Sequence, residues 1–396
     1  MPLQAPALQS LALKGKTVLI RVDFNVPRDS AGGISDDTRI RAALPTLRAV
    51  QEAGGKVVCL MHLGRPKGQV VEDLRVSVIG ERLSELLAAP VTSLAESTGD
   101  SVREVIAAAA PDSVLLLENV RFHAGETKGD GDLSKEYAKL GDLFVNDAFG
   151  ASHRAHSSVS GIAEYLPSAA GLLLNKEVKA FGKVLNDPAR PFVAILGGAK
   201  VSDKLTVIEN LIDKVDVLLV GGGMAYTFLA AQGHSVGNSL VETEQIDLCK
   251  AALAKAEAKG VRLVLPLDHV TADRFAADAQ TAVCDVDIPD GVMALDIGPK
   301  SQALYAAEVE AAKTVVWNGP MGVFEMEAFR AGTAAVGHAL GRCSGYTVVG
   351  GGDSVAAIGL LGLEASVDHI STGGGASLEL LEGKKLPGIA ALGQVS

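Results

Sequence analysis

The chain has 396 residues, a formal net charge of −11, 48% hydrophobic residues and 4% aromatic ones. That length suits two packed cores, and so few aromatics leave small aliphatic side chains to fill them, as in buried parallel strands under Ala-rich helices. The acidic balance argues against nucleic acid as a partner, no apolar run approaches the ~18 residues of a membrane span, and no basic-then-apolar leader opens the sequence. Four cysteines (Cys59, Cys249, Cys284 and Cys343) form no CxxC pair and read as reduced buried thiols. A cytoplasmic protein is expected.

Strand-like apolar runs stand at 17–24 (TVLIRVDF), 56–63 (KVVCLMHL), 113–120 (SVLLLENV) and 142–149 (DLFVNDAF). The segment LLLNKEVKAFGKVLNDPARP (172–191) reads as a helix stopped by Asn186, Pro188 and Pro191, and connects two strand series. The second series has runs at 191–198, 216–223, 262–270 (RLVLPLDHV), 314–320 (TVVWNGP), 346–353 (YTVVGGGD) and 369–375 (HISTGGG). Helical patterns such as RIRAALPTLRAVQEAGG and TEQIDLCKAALAKAEAKG lie between them. Apolar strands alternating with helices predict α/β architecture with parallel sheets.

Ligands of open parallel sheets sit beyond the carboxyl ends of the strands. In the first half those ends carry charge: Asp23 and Asn25, then His62 and Arg65, then Arg121 and His123, then His153, Arg154 and His156. In the second half they carry glycine: GGAKVSDK, GGGMAYTF, NGPMGVFE, GGGDS and STGGGAS. Eleven of the 16 Arg precede residue 176, whereas 13 of the 20 Lys lie from Lys176 onward. Arg binds carboxylate or phosphate as a rigid fork, and Lys acts as a mobile point charge. One half therefore offers forks to a small anion. The other offers bare backbone at helix N-termini, which attract phosphate.

Each motif also has a plain reading. Asp353 in GGGDSVAA is either an N-cap or a Mg²⁺ ligand beside a phosphate chain. Lys200 and Lys204, four apart in LGGAKVSDK, share one helix face if a helix begins after the glycines, where a bound anion would account for them; a solvated pair is the alternative. Glu325 is either a surface acid or a carboxylate accepting ribose hydroxyls. The basic groups of HLGRP and SHRAHSS suit a shared anion site better than a metal site, since no HxxxH or HExxH spacing occurs. Neither GxxxxGK[ST] nor GxGxxG is present.

Taken in order, RVDFNVP, HLGRP, ENVRFH, HRAHSS, LGGAKVSDK, GGGMAYTF, WNGPMGVFE, GGGDS and STGGGASLELLEGK resemble the motifs of the phosphoglycerate kinase family over essentially the whole chain. The resemblance implies a transferase of glycolysis that moves a phosphoryl group reversibly from 1,3-bisphosphoglycerate to ADP, giving 3-phosphoglycerate and ATP, with Mg²⁺. It implies two Rossmann-like domains, each a mostly parallel sheet flanked by helices, joined by a connecting helix and a hinge that closes. The expected boundaries are 1–175 for phosphoglycerate, 176–190 for the connecting helix, 191–375 for nucleotide, and a tail at 376–396 returning to the first domain. A monomer, with no nucleic acid or membrane partner, goes with it. By motif, Asp23, Phe24, Asn25, Arg39, His62, Leu63, Gly64, Arg65, Arg121 and Arg154 are expected at the phosphoglycerate. Gly198, Lys200, Lys204, Gly222, Gly223, Gly298, Gly319, Glu325, Gly351, Gly352, Asp353 and Ser354 are expected at the nucleotide. Asp353 is the implied metal ligand, and Arg39, Lys200 and Lys204 are the implied catalytic cations. Two departures are small: Ser354 replaces a frequent Thr, and His269 a usually apolar residue.

Two other classes fit the sequence less well. An NAD-dependent dehydrogenase needs GxGxxG with an acidic residue ~20 positions later, which is missing. A periplasmic-type binding protein would carry a signal peptide and would have no use for Lys200, Lys204 and Asp353 together.

Overall fold

The computed structural model describes residues 3–395. The chain forms two compact units. The first runs to Lys179 and resumes at Lys385; the second is Ala180–Lys384. The helix Leu172–Leu185 spans the division.

The first unit holds one sheet of six strands: β1 (Thr17–Arg21), β2 (Lys56–Leu60), β3 (Val91–Ser93), β4 (Val114–Leu116), β5 (Leu143–Asn146) and β6 (Ser168–Ala170). All pairs are parallel, in the order β3-β4-β2-β1-β5-β6. The central strands are apolar except at their ends, where Arg21 closes β1 and Asn146 closes β5, because helices cover both faces. Val18, Ile20, Val57 and Cys59 pack against Ile40, Leu44, Leu47 and Val50 of the helix Thr38–Glu52, whose apolar positions recur at three- and four-residue spacing. Strands β3 and β6 have three residues each, too short to show a period in the sequence.

The second unit contains β7 (Phe192–Leu196), β8 (Val217–Val220), β9 (Arg262–Val264), β10 (Asp268–Ala272), β11 (Thr281–Asp285), β12 (Met293–Ile297), β13 (Thr314–Asn318), β14 (Tyr346–Val349) and β15 (His369–Ile370). Six of them form a parallel sheet in the order β15-β14-β13-β7-β8-β9. Counted from β7 this is the doubly wound order, and its direction reverses between β7 and β13. β10 to β12 form a separate antiparallel sheet, β11-β10-β12.

The run 262–270, expected as one strand, is two. It breaks at Leu265–Leu267, where Pro266 offers no N–H and also constrains Leu265. β10 then enters a different sheet, and its partners β11 and β12 were not expected. The run 369–375 is strand only at His369–Ile370; a helix follows at Gly374–Leu381.

Candidate functional site

At the carboxyl ends of β1, β2, β4 and β5 a set of basic side chains converges, part of it buried. Arg21 ends β1 and has no exposed surface. Its guanidinium donates to Ser158 Oγ at 2.9 Å, to the Val22 carbonyl at 2.5 Å, and reaches His62 Nδ1 at 2.9 Å. A guanidinium only donates, so His62 Nδ1 accepts and its Nε2 carries the proton. Burial and then the charges of Arg21, Arg121, His156 and Arg154 hold the His62 imidazole well below its usual pKa. Burial, then Arg121, Arg21 and Arg154, push His156 to about 4. Burial, then repulsion from Arg21 and Arg154, bring even Arg121 down to about 10. The counter-charge is Glu126, buried, bound by Ser158 through its N–H at 3.0 Å and its hydroxyl at 2.6 Å. Asp23 adds to it and accepts from Arg39 at 3.1 Å.

Several expected residues are held by backbone ties. Asn119 takes the Leu63 N–H on Oδ1 at 3.2 Å and gives Nδ2 to the Leu63 carbonyl at 2.8 Å. Gly64 N–H donates to Asn25 Oδ1 at 2.9 Å, and its carbonyl accepts Arg121 Nη1 at 2.7 Å. Gly64 has φ +62, and a Cβ there would lie 2.8 Å from Leu74. Arg121 Nε is buried with no hydrogen-bond partner among the described residues. Phe24 is buried beneath, while Arg39, Arg65 and Arg154 are exposed. His123 turns away to Ser97 Oγ at 2.9 Å and the edge of Tyr137. The cluster is thus a positive nest whose own cations repel one another, which a bound anion would relieve. Arg21, Asn119 and Glu126 were not expected. An Arg inside an apolar strand was the readable hint for the first, and nothing in the sequence marks the other two.

At the switch point of the second unit, three loops cross backbone on backbone. Gly198 N–H donates to the Pro320 carbonyl at 3.1 Å, and Gly222 N–H to that of Met321 at 3.0 Å. A Cβ at Gly319 would stand 2.2 Å from the Gly197 carbonyl oxygen, one at Gly222 2.6 Å from Gly198 N, and one at Gly223 2.7 Å from the Ala199 carbonyl oxygen. Beside the crossing lies a cavity of about 680 Å³. Its apolar wall includes Leu240, Ala294, Leu295, Val323 and Met326, its backbone side Gly198, Gly222 and Gly223, and its carboxylates Glu325 and Asp353.

Other expected residues stand differently. Gly298 does not line the cavity; it packs on Asp268, where a Cβ would come 2.3 Å from Cγ. Ala294, on β12, takes the wall position instead. Ser354 is fully buried and its Oγ accepts the Gly319 N–H at 2.5 Å, so it holds a loop. Gly351 meets Asn318, whereas Gly352 faces open space. The helix after β7 begins only at Leu205, so Lys200 lies in an irregular loop and Lys204 at the N-cap; the shared helix face does not form. The loop is tied by Ser202, which gives its N–H and hydroxyl to Glu242 at 3.0 and 2.6 Å. Lys204 Nζ donates to the Asn318 carbonyl at 2.9 Å and to Asn318 Oδ1. Burial brings its ammonium down to about 8, against the opposing pull of Asp353 and Asp203. Among the described residues no group of three His, Cys, Asp or Glu side chains could hold a metal by itself. A groove of about 520 Å³ in the first unit is unrelated, since its acids and arginines pair with one another through Asp37, Arg41 and Arg82.

The chain matches known proteins over nearly its full length. A family model described as phosphoglycerate kinase covers residues 8–384. A phosphoglycerate kinase of Moorella thermoacetica is 55% identical over 97% of this chain and 98% of its own, and one of Herpetosiphon aurantiacus is 54% identical over the same shares. The structure of phosphoglycerate kinase from Coxiella burnetii superimposes with a TM-score of 0.91 at 42% identity, covering 99% of each chain. That of the Pyrococcus horikoshii enzyme gives 0.84 at 34% identity, covering 98% of each. With its two parallel-sheet units and the basic and glycine-lined strand ends they carry, the chain belongs to the phosphoglycerate kinase family.

Proposed function

We propose that the basic nest of the first unit binds the phosphoglycerate and that the cavity of the second binds the adenine nucleotide. The enzyme is a phosphotransferase with a carboxyl group as acceptor and ATP or ADP as co-substrate; the division of labour between residues is what we infer. The observation carrying it is the clustering of Arg21, His62, Arg121 and His156, all with lowered pKa values, around an unsatisfied Arg121 Nε. A phosphorylated carboxylate answers that field. In the second unit an apolar wall suits a purine, Glu325 a ribose, and Lys204 with the Gly352 N-terminus a phosphate chain.

In the ATP-consuming direction the 3-phosphoglycerate carboxylate oxygen attacks the γ-phosphorus, and the bond to the β-phosphate oxygen of ADP breaks. Both oxygens are ionised near pH 7, so the chain need supply no general base. Its residues bind, align and neutralise charge around a loose in-line transition state. Arg39 and Lys200, both exposed, are assigned to the phosphoryl group in flight. Lys204 stays on the nucleotide phosphates. Mg²⁺, which supplies charge neutralisation on phosphate oxygens, fits a site with one carboxylate, Asp353, at a helix start, because Mg²⁺ commonly takes its other ligands from phosphate and water. A monomer acting in the cytoplasm completes the reading.

A coupled assay tests it: Mg-ATP and 3-phosphoglycerate, with NADH oxidation followed through glyceraldehyde-3-phosphate dehydrogenase. Arg121→Ala is expected to raise KM for 3-phosphoglycerate at least tenfold, and Glu325→Ala KM for ATP alone. Crossed effects would refute the division of sites.

A further inference from the structure

One carboxylate lies behind the cavity and takes no part in the chemistry above. Asp296, on β12, is fully buried. It follows Met293, Ala294 and Leu295, which line the cavity. Its Oδ2 accepts the Gly332 N–H at 2.7 Å and its Oδ1 the Ile297 N–H at 2.9 Å. Two glycines close around it: a Cβ at Gly322 would stand 2.3 Å from Oδ1, and one at Gly332 2.2 Å. Gly322 belongs to the loop that walls the cavity, and Gly332 to the first turn of the helix Ala331–Arg342. The same loop is laced to β12 by Val323 N–H on the Leu295 carbonyl at 2.9 Å. It is laced to the helix by Met321 N–H on Thr333 Oγ1 at 3.0 Å. No ion pair joins Asp296 among the described residues, so its burial is costly and its two accepted bonds must repay it.

We propose that Asp296 is a positioning residue for the nucleotide. Its bond from Gly332 ties β12 to the start of the helix Ala331–Arg342, and Gly322 of the loop Pro320–Met326 packs directly on its carboxylate, so that Leu295, Val323 and Glu325 keep their places around the nucleoside. Thr333 is a second, weaker tie of the same clamp. The inference rests on the reading of this cavity as the nucleotide site. A carboxylate is needed because both of its oxygens accept N–H. An amide accepts with one and sets an NH₂ against the other N–H.

Steady-state kinetics with the full chain decide it. Asp296→Asn should raise KM for Mg-ATP about tenfold, leaving KM for 3-phosphoglycerate within about twofold and kcat within about threefold. Thr333→Val should move KM for Mg-ATP the same way, about threefold. A role in stability alone would shift both KM values together or neither, and either result overturns the proposal. If Asp296→Asn does not fold, Thr333→Val carries the test, and an unchanged nucleotide KM overturns it. Ala294→Leu, which fills the cavity, separates the two failures. If it leaves KM for Mg-ATP unchanged, the cavity reading falls and the clamp with it. If it raises that KM while the other two variants do not, the clamp alone falls.

Discussion

Lys204 is a residue of the second site whose environment changes its chemistry. Its spacing from the glycines was legible, but its depth was not, because Asn318 and the backbone that bury it come from β13, 114 residues away. With its ammonium brought to about 8, the free enzyme loses this charge as pH rises past that value. kcat/KM for ADP should therefore fall above pH ~8, and a flat profile to pH ~9.5 would rule this out. Lys200 and Arg39 are exposed and free of such burial, as groups that travel to a transferring phosphoryl should be. Lys200→Ala and Arg39→Ala are expected to cut kcat by ~10²–10⁴ with substrate KM values within a few-fold. Loss of affinity at constant kcat would assign them to ground-state binding instead.

At the scale of elements, the glycines divide into two kinds that look alike in a sequence. Gly319, at φ +101 with the Gly197 carbonyl 2.2 Å from its absent Cβ, is demanded by backbone crossing backbone. Gly352 opens the helix Gly352–Leu361 with nothing within 4 Å of its absent Cβ. Gly319→Ala should destabilise the second unit by about 3 kcal/mol or more, read from urea midpoints, for steric and dihedral reasons together. Gly352→Ala should leave the midpoint unchanged or raised, since Ala suits a helix better by up to ~1 kcal/mol. It should still lower kcat/KM at least tenfold by intruding on the phosphates. Unchanged turnover in Gly352→Ala would mean the open space holds no ligand. The long elements were legible because their apolar periods run for many residues. Strands β3 and β6 were not, having three residues each, and β11 and β12, as long as β1, pair antiparallel with β10 in a separate sheet that only three dimensions reveal.

For the whole chain, the tail is not an appendage. Lys385 onward returns to the first unit, burying Leu386, Ile389 and Leu392. The Gly388 carbonyl accepts Asn146 Nδ2 at 2.9 Å, and Gly388 N–H donates to the Ser152 carbonyl at 2.9 Å. Truncation after Lys384 should cost that unit several kcal/mol, at ~1.5–3 kcal/mol per large side chain re-exposed. Two unfolding transitions, the earlier one displaced, would be the calorimetric sign. Asp147 caps the helix Leu172–Leu185, with Oδ1 accepting the N–H of Leu173 at 2.9 Å and of Leu174 at 3.2 Å. Burial pushes its carboxyl up to about 7, from 3.8 in the unfolded chain. The protonated fold is thus favoured, so this group's contribution is whole below pH ~4 and is lost as pH rises through ~7. Asp147→Asn keeps an acceptor for both N–H groups and cannot ionise. The stability difference between variant and parent should therefore grow in the variant's favour from pH 5 to pH 8. A constant difference would show that Asp147 does not titrate in this range.

The sequence by itself determined the class of fold, the two strand series, the connecting helix, the charged and glycine-rich strand ends, and through their order the family. Those features are local: periodicity, turn residues and short motifs survive without knowledge of neighbours. Only the tertiary structure decided which charges are buried, which glycines face backbone rather than open space, and that Ala294 rather than Gly298 walls the cavity. It alone brought Arg21 against His62 and Glu126, and Lys204 against Asn318. Burial and close approach are set by residues 40 to more than 100 positions away, and desolvation and packing leave no mark on the order of side chains along the chain.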